Sequence, residues 1–567
     1  MTGRESSRPR LRIGLLLDDM STPQWAHRMI EIIVASGSSE IVVAVVGGGV
    51  AIAGKSKRRW FTRLCREPRA ALRGAVRRGL ALAYRKLFER HLKSPAAEAR
   101  VSLVDLLRNV PVLDVQPVRS QWSDSLTEAD LQSIARFNVD VLIRLGFRIL
   151  RGGILSSARY GLWSYHHGDN RVNRGGPPGF WEAMEEWPTT GSVLQILTED
   201  LDNGAVLYRS FSCTDTTSVL DNQRNNFRNT LSFIPRKLQE LHRSGPERFF
   251  DQLQRENCEP FLYSRRLYTT PSNAEYAQLL VRKTLAKVRV MYRNRFFLDQ
   301  WILLFDLKTE LSSSLWRYQR MIPPPDRFWA DPCPVETAHG YAIFIEEFPF
   351  EMARGRIAVI EMDRTGRWTA PVTVLERPYH LSYPFVFTHE GQHYMLPESA
   401  QNDTIELYRC VEFPHRWELQ EILMSGIKAY DSTIVRHDGR YWLFANVVEN
   451  AGASSWDELF VFWSDQPFGA PWTPHPQNPV VSDCRSARPA GRMFESGGKL
   501  YRPSQNCSHR YGWGFNIARV DRLDDTGYSE TIVSQIEPDW AADVVATHTF
   551  NRAGALHVID AQIRRRR

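Results

Sequence analysis

Three polar side chains in the N-terminal half are of types that can take part in proton transfer. Ser164 and His166 are separated by one residue, and Asp202 lies further along the chain in Leu-Asp-Asn-Gly. Histidine titrates near neutral pH, and a nearby carboxylate can fix its orientation and support its charged form. A serine hydroxyl can donate a hydrogen bond to a developing oxyanion. The set predicts general acid–base chemistry, whereas the alternative is that His166 or the adjacent His167 is a buried structural histidine.

A second set of polar residues recurs in the C-terminal half, beside short apolar strands. When these strands are aligned by the turns that follow them, one set of residues falls at equivalent positions, with Glu398 as a further member: Asp331, Tyr383, Asp431, Arg488 and His548. Paired carboxylates can divide the acid and base roles of carbohydrate chemistry. The set predicts a carbohydrate site, whereas the alternative for its aspartates is a structural role in turns.

The elements that would position the first set have the pattern of an α/β domain. An apolar run from Leu11 to Leu17 precedes a helical pattern from Trp25 to Ile33, and a buried strand follows from Glu40 to Val46. After an interruption the pattern resumes and includes a buried strand from Val139 to Gly146. Strands that alternate with helices in this way predict a doubly wound α/β sheet.

The second set belongs to a region with a different pattern. From Trp301 onward, tight turns lead into alternating apolar strands at intervals of about 50 residues. The glycines at these turns are Gly340, Gly391, Gly439, Gly498 and Gly554. Five repeats of a turn and a strand predict an all-β five-bladed propeller.

The chain is therefore predicted to be multidomain. Its 567 residues exceed what one hydrophobic core usually organises. We expect an α/β domain over residues 1–220, with a basic helical insertion at 54–98, then a helical bridging region over 221–300 and the propeller over 301–567. The two chemical sets then lie in different domains.

The insertion carries more positive charge than the surplus of +8 on the whole chain. Between Gly54 and Lys93, many Lys and Arg residues are opposed only by Glu67 and Glu89. Apolar residues recur there at roughly helical spacing, so residues 54–93 predict a basic amphipathic helix in peripheral contact with an anionic membrane. The alternative is a solvated helical insertion packed on its own domain.

Several classes of protein are disfavoured by the sequence. No apolar run approaches the roughly 20 residues needed to span a bilayer, and the N-terminus lacks the pattern of a signal peptide. We expect a cytoplasmic protein, membrane-associated through its surface alone, with no specific nucleic-acid partner. The seven cysteines are scattered without a Cys-x-x-Cys pair, which predicts reduced thiols and no metal site.

The order of short motifs in the N-terminal half resembles a known family. In sequence these motifs are Gly146-Phe-Arg-Ile-Leu, Gly161-Leu-Trp-Ser-Tyr-His, Arg174-Gly, Thr190-Gly and Leu201-Asp-Asn-Gly. They resemble the formyltransferase family that uses 10-formyltetrahydrofolate, and so imply a formyltransferase-like fold. The resemblance implies that His166 and Asp202 form the catalytic pair.

The same resemblance assigns the neighbouring residues. Ser164 falls where the family has a catalytic asparagine, and the cofactor, 10-formyltetrahydrofolate, is expected near Leu145, Gly146 and Gly204. The polar segment from His167 to Arg171 replaces an apolar loop of the family. This difference predicts either that the molecule accepting the formyl group is more polar or that the domain catalyses another reaction.

The C-terminal half resembles the five-bladed propellers of the family 43 glycoside hydrolase clan and, more closely, the propeller domain of plant glucosamine inositolphosphorylceramide transferases. The likeness rests on Phe328-Trp-Ala-Asp-Pro, His380-Leu-Ser-Tyr-Pro and Ser486-Ala-Arg-Pro. The hydrolase resemblance implies that Asp331 is the general base and that Asp431 tunes the acid. Where those hydrolases have a glutamate as general acid, this sequence has Gln505 nearby, so glycan binding without hydrolysis is an equal alternative.

The leading prediction is an N-formyltransferase that acts on an amino sugar, nucleotide-linked or lipid-linked, with a glycan-binding propeller. One alternative is a glycoside hydrolase or glycosyltransferase that acts through the propeller and has a degenerate formyltransferase domain. Another is a non-catalytic carbohydrate-binding protein of polysaccharide assembly.

Overall fold

The computed structural model describes residues 8–47, 68–90, 99–200, 203–311 and 314–566. The chain forms two compact units. The first unit runs to Ser210 and includes Thr214–Ala286, and the second comprises Phe211–Cys213 with Lys287–Arg567. The first unit contains an α/β sheet and the second is β-rich, so the chain is multidomain.

The first unit is organised by a seven-stranded sheet with the order β12-β11-β10-β8-β1-β3-β5. Its inner strands pair in parallel, and β10 pairs with β11 in antiparallel fashion. Two small sheets, β2-β4 and β6-β7-β9, lie outside it. The strands are β1 Leu11–Leu17, β2 Ser21–Pro23, β3 Ser39–Val46, β4 Arg100–Ser102, β5 Val112–Asp114, β6 Val118–Arg119, β7 Ser123–Ser125, β8 Val141–Arg144, β9 Ile149–Leu150, β10 Leu162–His166, β11 Thr189–Ile196 and β12 Val206–Cys213.

The helices follow from the spacing of apolar residues. In the first helix, Met29, Ile30 and Ile33 are buried, which places them on one face at helical spacing. Strand β1 is buried along nearly its whole length, as expected for a central parallel strand. The helices are α1 Gln24–Ala35, α2 Pro68–Phe88, α3 Glu128–Ala135, α4 Phe180–Glu185, α5 Val219–Thr230, α6 Phe233–Ser244, α7 Pro246–Glu256 and α8 Asn273–Phe296.

Most of the helical region over residues 221–300, which was expected to bridge two domains, belongs to the first unit. Helices α5, α6 and α7 belong to the first unit, as does α8 up to Ala286. Phe233, Ile234, Leu238 and Leu241 of α6 are buried in the same core cluster as β1. Helix α6 therefore packs against the α/β sheet.

The basic insertion is described only in its central part, because residues 54–67 and 91–98 lie outside the described ranges. That part forms α2, in which Tyr84 and Phe88 pack against Phe180 and Tyr276. Other apolar side chains, such as Leu72, are exposed. One side of α2 thus packs on its own unit, and membrane contact through 54–93 stays a prediction. No helix within the described ranges is long and apolar enough to cross a membrane.

Within the described residues, the strands from β13 to β34 form five antiparallel sheets, of which the first joins strands from both ends of this range. They are β14-β13-β34-β32 with β33, then β15–β18, β19–β22, β23–β26 with β27, and β28–β31. The strands are β13 Phe297–Leu307, β14 Gln319–Met321, β15 Arg327–Thr337, β16 Gly340–Pro349, β17 Arg356–Asp363, β18 Val372–Leu375, β19 Ser382–His389, β20 Gln392–Glu398, β21 Thr404–Glu412, β22 Arg416–Ser425, β23 Ala429–His437, β24 Arg440–Val447, β25 Glu458–Ser464, β26 Thr473–Pro474, β27 Val481–Ser482, β28 Phe494–Ser496, β29 Lys499–Asn506, β30 Gly514–Leu523, β31 Tyr528–Ile536, β32 Val544–Ala546, β33 Phe550–Ala553 and β34 Leu556–Arg566.

The recurrent glycine turns connect paired strands. The turns at 338–339, 390–391, 438–439, 497–498 and 554–555 join β15 to β16, β19 to β20, β23 to β24, β28 to β29 and β33 to β34. In the third of these, Asp438 and Gly439 both have positive φ, 48° and 80°. A tight hairpin turn needs this left-handed backbone, which Asp and Gly tolerate.

The last strand of the second unit pairs with its first. Residues Phe297 to Leu307 of β13 stand opposite Arg566 to Leu556 of β34 in unbroken antiparallel register. The pair is buried as well as hydrogen-bonded: Ile559 is fully buried and packs with Ile302 and Phe515. The two ends of the unit are thereby held in one sheet.

We expect Ile559→Ala to lower the free energy of unfolding of the second unit by about 2–5 kcal/mol, because it removes buried apolar contacts and leaves a cavity in the closing sheet. Ile532→Ala, the same change on the exposed face of β31, is the control and should cost under about 1 kcal/mol. Urea unfolding of both variants checks this, and equal effects would contradict a structural role for the closing pair.

Candidate functional site

The first predicted set lies at a cleft in the first unit. Ser164, His166 and Gly204 line a cavity of about 530 Å³ together with Arg144 and Tyr268. This volume is in the range of small-molecule sites. The structure therefore brings three of the predicted residues to one cleft.

The predicted catalytic pair cannot be placed, because Asp202 lies outside the described residues. His166 makes a short hydrogen bond: its Nε2–H donates to the carbonyl oxygen of Asn173 at 2.6 Å. Ser164 accepts a hydrogen bond from Arg144 Nη1 at 3.1 Å. Nε2 of His166 is thus a hydrogen-bond donor to the backbone.

Two of the predicted cofactor residues take part in the packing of the first unit. Leu145 packs against the main core of the first unit. Gly146 lies so close to β1 that a Cβ atom would be 2.3 Å from the backbone nitrogen of Asp18. Neither residue is among those that line the cleft. Only a glycine permits this approach, so packing of the chain accounts for Gly146.

His167 is a structural histidine. It packs against Trp25 and Phe227, and its Nδ1 lies 3.2 Å from Asn226 Oδ1. Burial lowers the pKa of His167 to about 4. The ring is therefore neutral near pH 7, as the structural interpretation of this residue required.

The second predicted set comes together in the centre of the second unit. Asp331, Tyr383 and Asp431 lie in the first strands of three successive sheets, and each has a positive φ of 52°, 42° and 53°. The strand pairing is irregular at each of these points. A bulge of this kind redirects a side chain, and here it occurs at equivalent positions in three sheets.

One part of this centre is held by Arg488. Its Nε donates to Asp431 at 2.5 Å, and its Nη2 donates to Glu398 at 3.2 Å. Gln505 Nε2 donates to Asp431 at 2.7 Å. All of these side chains are buried. Arg488 is therefore the shared counter-ion of two buried carboxylates.

The other part of the centre is a histidine between two aspartates. His548 Nε2 lies 3.1 Å from Asp331 Oδ1, and His548 Nδ1 lies 2.8 Å from Asp560 Oδ1. Asp560 also accepts from the backbone N–H groups of Asp331 and Thr549. Asp331 accepts from the backbone N–H of Tyr383 at 3.2 Å. All six predicted residues thus belong to one connected centre, because the ring of Tyr511 contacts both Arg488 and His548.

The pKa values follow from burial and pairing. Burial alone would lower the pKa of His548, but Asp560 and Asp331 outweigh it and raise that pKa to about 10. Burial raises the pKa of Asp331 despite the opposing effect of His548. Burial, with the Asp431 charge, also raises the pKa of Glu398. A carboxylate with a raised pKa is a stronger base, and a carboxyl with a raised pKa can serve as an acid near neutral pH.

The centre has further members in the strands that follow the glycine turns, and of these only Glu398 was predicted as a site residue. Glu346, Glu398, Asn446, Gln505 and Asp560 are all buried. Each follows its turn glycine by six or seven positions, in an otherwise apolar strand. That spacing was a usable signal, since a buried strand seldom carries an acid or amide without a partner. The side-chain nitrogen and oxygen of Asn446 have no hydrogen-bond partner within the described part of the chain.

Half-buried aromatic rings lie beside the centre. The guanidinium of Arg488 lies over Tyr430 and Tyr511, at 5.2 and 5.0 Å from the ring centroids. Trp456 contacts Tyr511, with centroids 5.8 Å apart. Aromatic faces next to buried carboxylates suit the apolar faces and hydroxyl groups of a sugar.

A cation is a second ligand that part of the centre could hold. Asp331, His548 and Asp560 each present one ligand atom, and these atoms lie within 4.8 Å of one another. Metal binding needs a neutral imidazole, whereas the two carboxylates favour the protonated form of His548. The donor set therefore fits a proton better than a metal ion at neutral pH.

Comparison with known proteins connects the second unit to one family. Residues 320–562 match the family described as glucosamine inositolphosphorylceramide transferase 1, N-terminal. The glucosamine inositolphosphorylceramide transferase 1 of Oryza sativa subsp. japonica is 35% identical over 213 residues, which is 37% of this chain. The chain spans 28% of the length of that relative. The likeness therefore concerns part of each protein.

Two solved structures show weak likeness. Zg3597, a family 117 glycoside hydrolase of Zobellia galactanivorans, is 12% identical with a TM-score of 0.32, over 47% of this chain and 89% of that one. Glycinamide ribonucleotide transformylase 1 of Symbiobacterium toebii is 11% identical with a TM-score of 0.26, over 42% and 94%. At these TM-scores the two likenesses establish neither fold nor function.

The prediction of N-formyl transfer as the main function is wrong. The relatives in rice and Arabidopsis thaliana are named for a different transferase, and the family match falls at residues 320–562. Use of 10-formyltetrahydrofolate stays a prediction that no observation tests.

We expect Arg488→Met to lower the free energy of unfolding of the second unit by about 3–5 kcal/mol, because Asp431 and Glu398 would remain buried without their counter-ion. Arg364→Met removes an exposed ion pair with Glu336 and should cost at most about 1 kcal/mol. Thermal or urea unfolding measures both. A cost for Arg488→Met no larger than that for Arg364→Met would show that the buried pair is not needed.

Stability should also depend on pH through His548. Its pKa rises from an ordinary value of 6.5 to about 10 on folding, so the folded state binds its proton more tightly. The stabilisation is fully present below about pH 6.5 and is lost as the pH rises through about 10. The difference in unfolding free energy between the wild type and His548→Gln should therefore shrink from pH 6 to pH 10. A constant difference over that range would rule out this coupling.

Proposed function

We propose that the protein is a glycosyltransferase that acts at the buried carboxylate centre of the second unit. We also propose that the five sheets are the blades of a propeller and that the centre lies at its axis. Propellers bind ligands where the inner strands of the blades meet. The observation that carries the proposal is the meeting of Asp331, Asp431 and Glu398 with Arg488 and His548 from successive sheets.

In this proposal Asp331 is the general base. It takes the proton of an acceptor hydroxyl while that oxygen bonds to the anomeric carbon of the donor sugar. The bond from this carbon to the leaving group breaks, and the electron pair departs with the leaving group. Asp331 then releases its proton to water. The raised pKa of Asp331 strengthens it as a base, and His548 is a positioning residue because it holds the carboxylate through Nε2.

Gln505 favours transfer over hydrolysis. It stands in the sheet where the resemblance to glycoside hydrolases would require a glutamate as general acid, and it donates its amide N–H to Asp431. An amide cannot give a proton to a departing sugar oxygen. A phosphate leaving group departs as a stable anion and needs no such proton. We therefore propose a donor sugar linked to phosphate.

The substrate class is proposed from the relatives. Their name joins a sugar to a phosphorylated ceramide lipid, which supports a glycolipid acceptor for this chain. The half-buried rings of Tyr430 and Tyr511 would pack against its sugar, and the unpaired amide of Asn446 would serve a hydroxyl group. In this proposal the first unit performs no formyl transfer.

We expect Asp331→Asn to lower kcat by at least about 100-fold with a small change in KM, since it removes the base and keeps the shape of the site. The assay follows transfer of labelled sugar from a panel of nucleotide sugars and polyprenyl phosphate sugars to inositol-phosphate glycolipids. Asp438→Asn, in an exposed turn that tolerates Asn, is the control and should keep full activity. Unchanged kcat in Asp331→Asn would overturn the assignment of the base.

A further inference from the structure

A second cavity in the first unit is lined by acidic and aromatic residues that have no role in the proposed function. It has a volume of about 440 Å³ and is lined by the carboxylates of Asp169, Glu182 and Glu185, together with Trp187 and Tyr268. Of its lining residues, Tyr268 also lines the cleft of Ser164 and His166. The volume would accommodate a molecule of monosaccharide size.

Among these three acids, Glu182 has a carboxylate oxygen without a hydrogen-bond partner in the described part of the chain. It is 1% exposed, and its Oε1 accepts from Asn173 Nδ2 at 3.1 Å. Its Oε2 is buried and has no hydrogen-bond partner among the residues that the structure describes. A buried carboxylate oxygen left unpaired is costly, and folded proteins rarely retain one without a ligand, ion or water.

The other two carboxylates already have cationic partners. Asp169 pairs with Arg209, and Glu185 pairs with Arg266 at 3.3 Å. Glu185 also accepts from the indole N–H of Trp187 at 3.0 Å. Glu182 has no ion pair within the described ranges, and Arg265 at the edge of the cavity is exposed to solvent, which screens its charge. Within the described ranges Glu182 therefore has no paired cation that would stabilise its ionised form.

The residues around Glu182 indicate which kind of ligand group would bind to it. Burial raises the pKa of Glu182, and the neighbouring charges of Glu185 and Asp169 add to this effect. A hydroxyl group could bond to the free oxygen but would not stabilise the ionised form, whereas an ammonium group also supplies the positive charge that keeps the carboxylate ionised. The half-buried ring of Trp187 adds an aromatic surface, which attracts a cation over its face.

We propose that this cavity binds the primary ammonium group of a small organic molecule, with Glu182 as its counter-ion. Amino sugars have the size and the donor groups that the cavity accommodates. This site is independent of the carboxylate centre in the second unit, and it needs neither Asp331 nor a sugar-transfer step.

Titration calorimetry of the full chain tests the proposal with three sugars that differ at one carbon: glucosamine, N-acetylglucosamine and glucose. Glucosamine should bind at least about tenfold more tightly than either neutral sugar, as expected for a charge-assisted hydrogen bond to a buried carboxylate. Equal affinity of the three sugars would overturn the proposal.

Variants locate the binding. Glu182→Gln should reduce the affinity for glucosamine to that for glucose, because the shape is kept and the charge is lost. Glu259→Gln, the same change at an exposed position of the first unit, should have no effect. Asp331→Asn should also leave this affinity unchanged, which separates the cavity from the centre in the second unit. Normal affinity in Glu182→Gln, or its loss in Asp331→Asn, would overturn the assignment.

A measurement on the wild type guards against misfolding of Glu182→Gln. Methylammonium should displace glucosamine in competition calorimetry, whereas methanol at the same concentration should not, because the cation alone carries the recognised group. Displacement by both or by neither would contradict recognition of an ammonium group. Circular dichroism of each variant shows whether its fold is retained.

Discussion

The second unit depends on the pairing of carboxylates and cations that it removes from water. Burying a lone carboxylate or guanidinium costs several kcal/mol, so a centre with Asp331, Asp431, Glu398 and Asp560 requires cations in fixed places. Arg488 and His548 supply them, and each bridges carboxylates from different sheets. The sheets must therefore stand in one arrangement for any of these pairs to form. The same pairing that permits burial also raises the pKa of His548 and fixes the position of the proposed base.

The sequence predicted the repeats of this unit well because turns are local. A hairpin at Asp438-Gly439 needs a left-handed backbone that few residues tolerate. Alignment from such turns was enough to select Asp331, Asp431, Arg488 and His548 as neighbours. It could not show the bulges, since the left-handed φ of Asp331 arises from packing between strands and has no local signature. It also passed over Glu346 and Asp560, because nothing in the turn alignment marks an acid in the strand that follows the turn.

In the first unit the sequence predicted an α/β sheet, which the structure shows, whereas the reaction predicted from the order of motifs is wrong. Gly146 belongs to the motif because β1 passes too close for a Cβ atom, and this is a requirement of the sheet. His166 belongs to it as well, but its Nε2 is engaged by the Asn173 carbonyl. Chemistry needs each group in a defined protonation state and free to react, and spacing along the chain does not report either. Nothing in the sequence was a reason to select Glu182, because this residue lies in a helix of buried residues and no recognised motif surrounds it.

The pairing of β13 with β34 also sets an order of events during synthesis. Arg564 of β34 bonds to Asp299 of β13 across 265 positions of chain. All the strands between β13 and β34 are therefore synthesised before these two strands can pair. The strands of the sheet in the first unit are all synthesised much earlier. His548 and Asp560 emerge after all the other residues of the centre that are named above. Until they do, Asp331 lacks its cationic partner, so we expect a nascent chain to hold an unfinished and inactive centre that is exposed to chaperones and proteases.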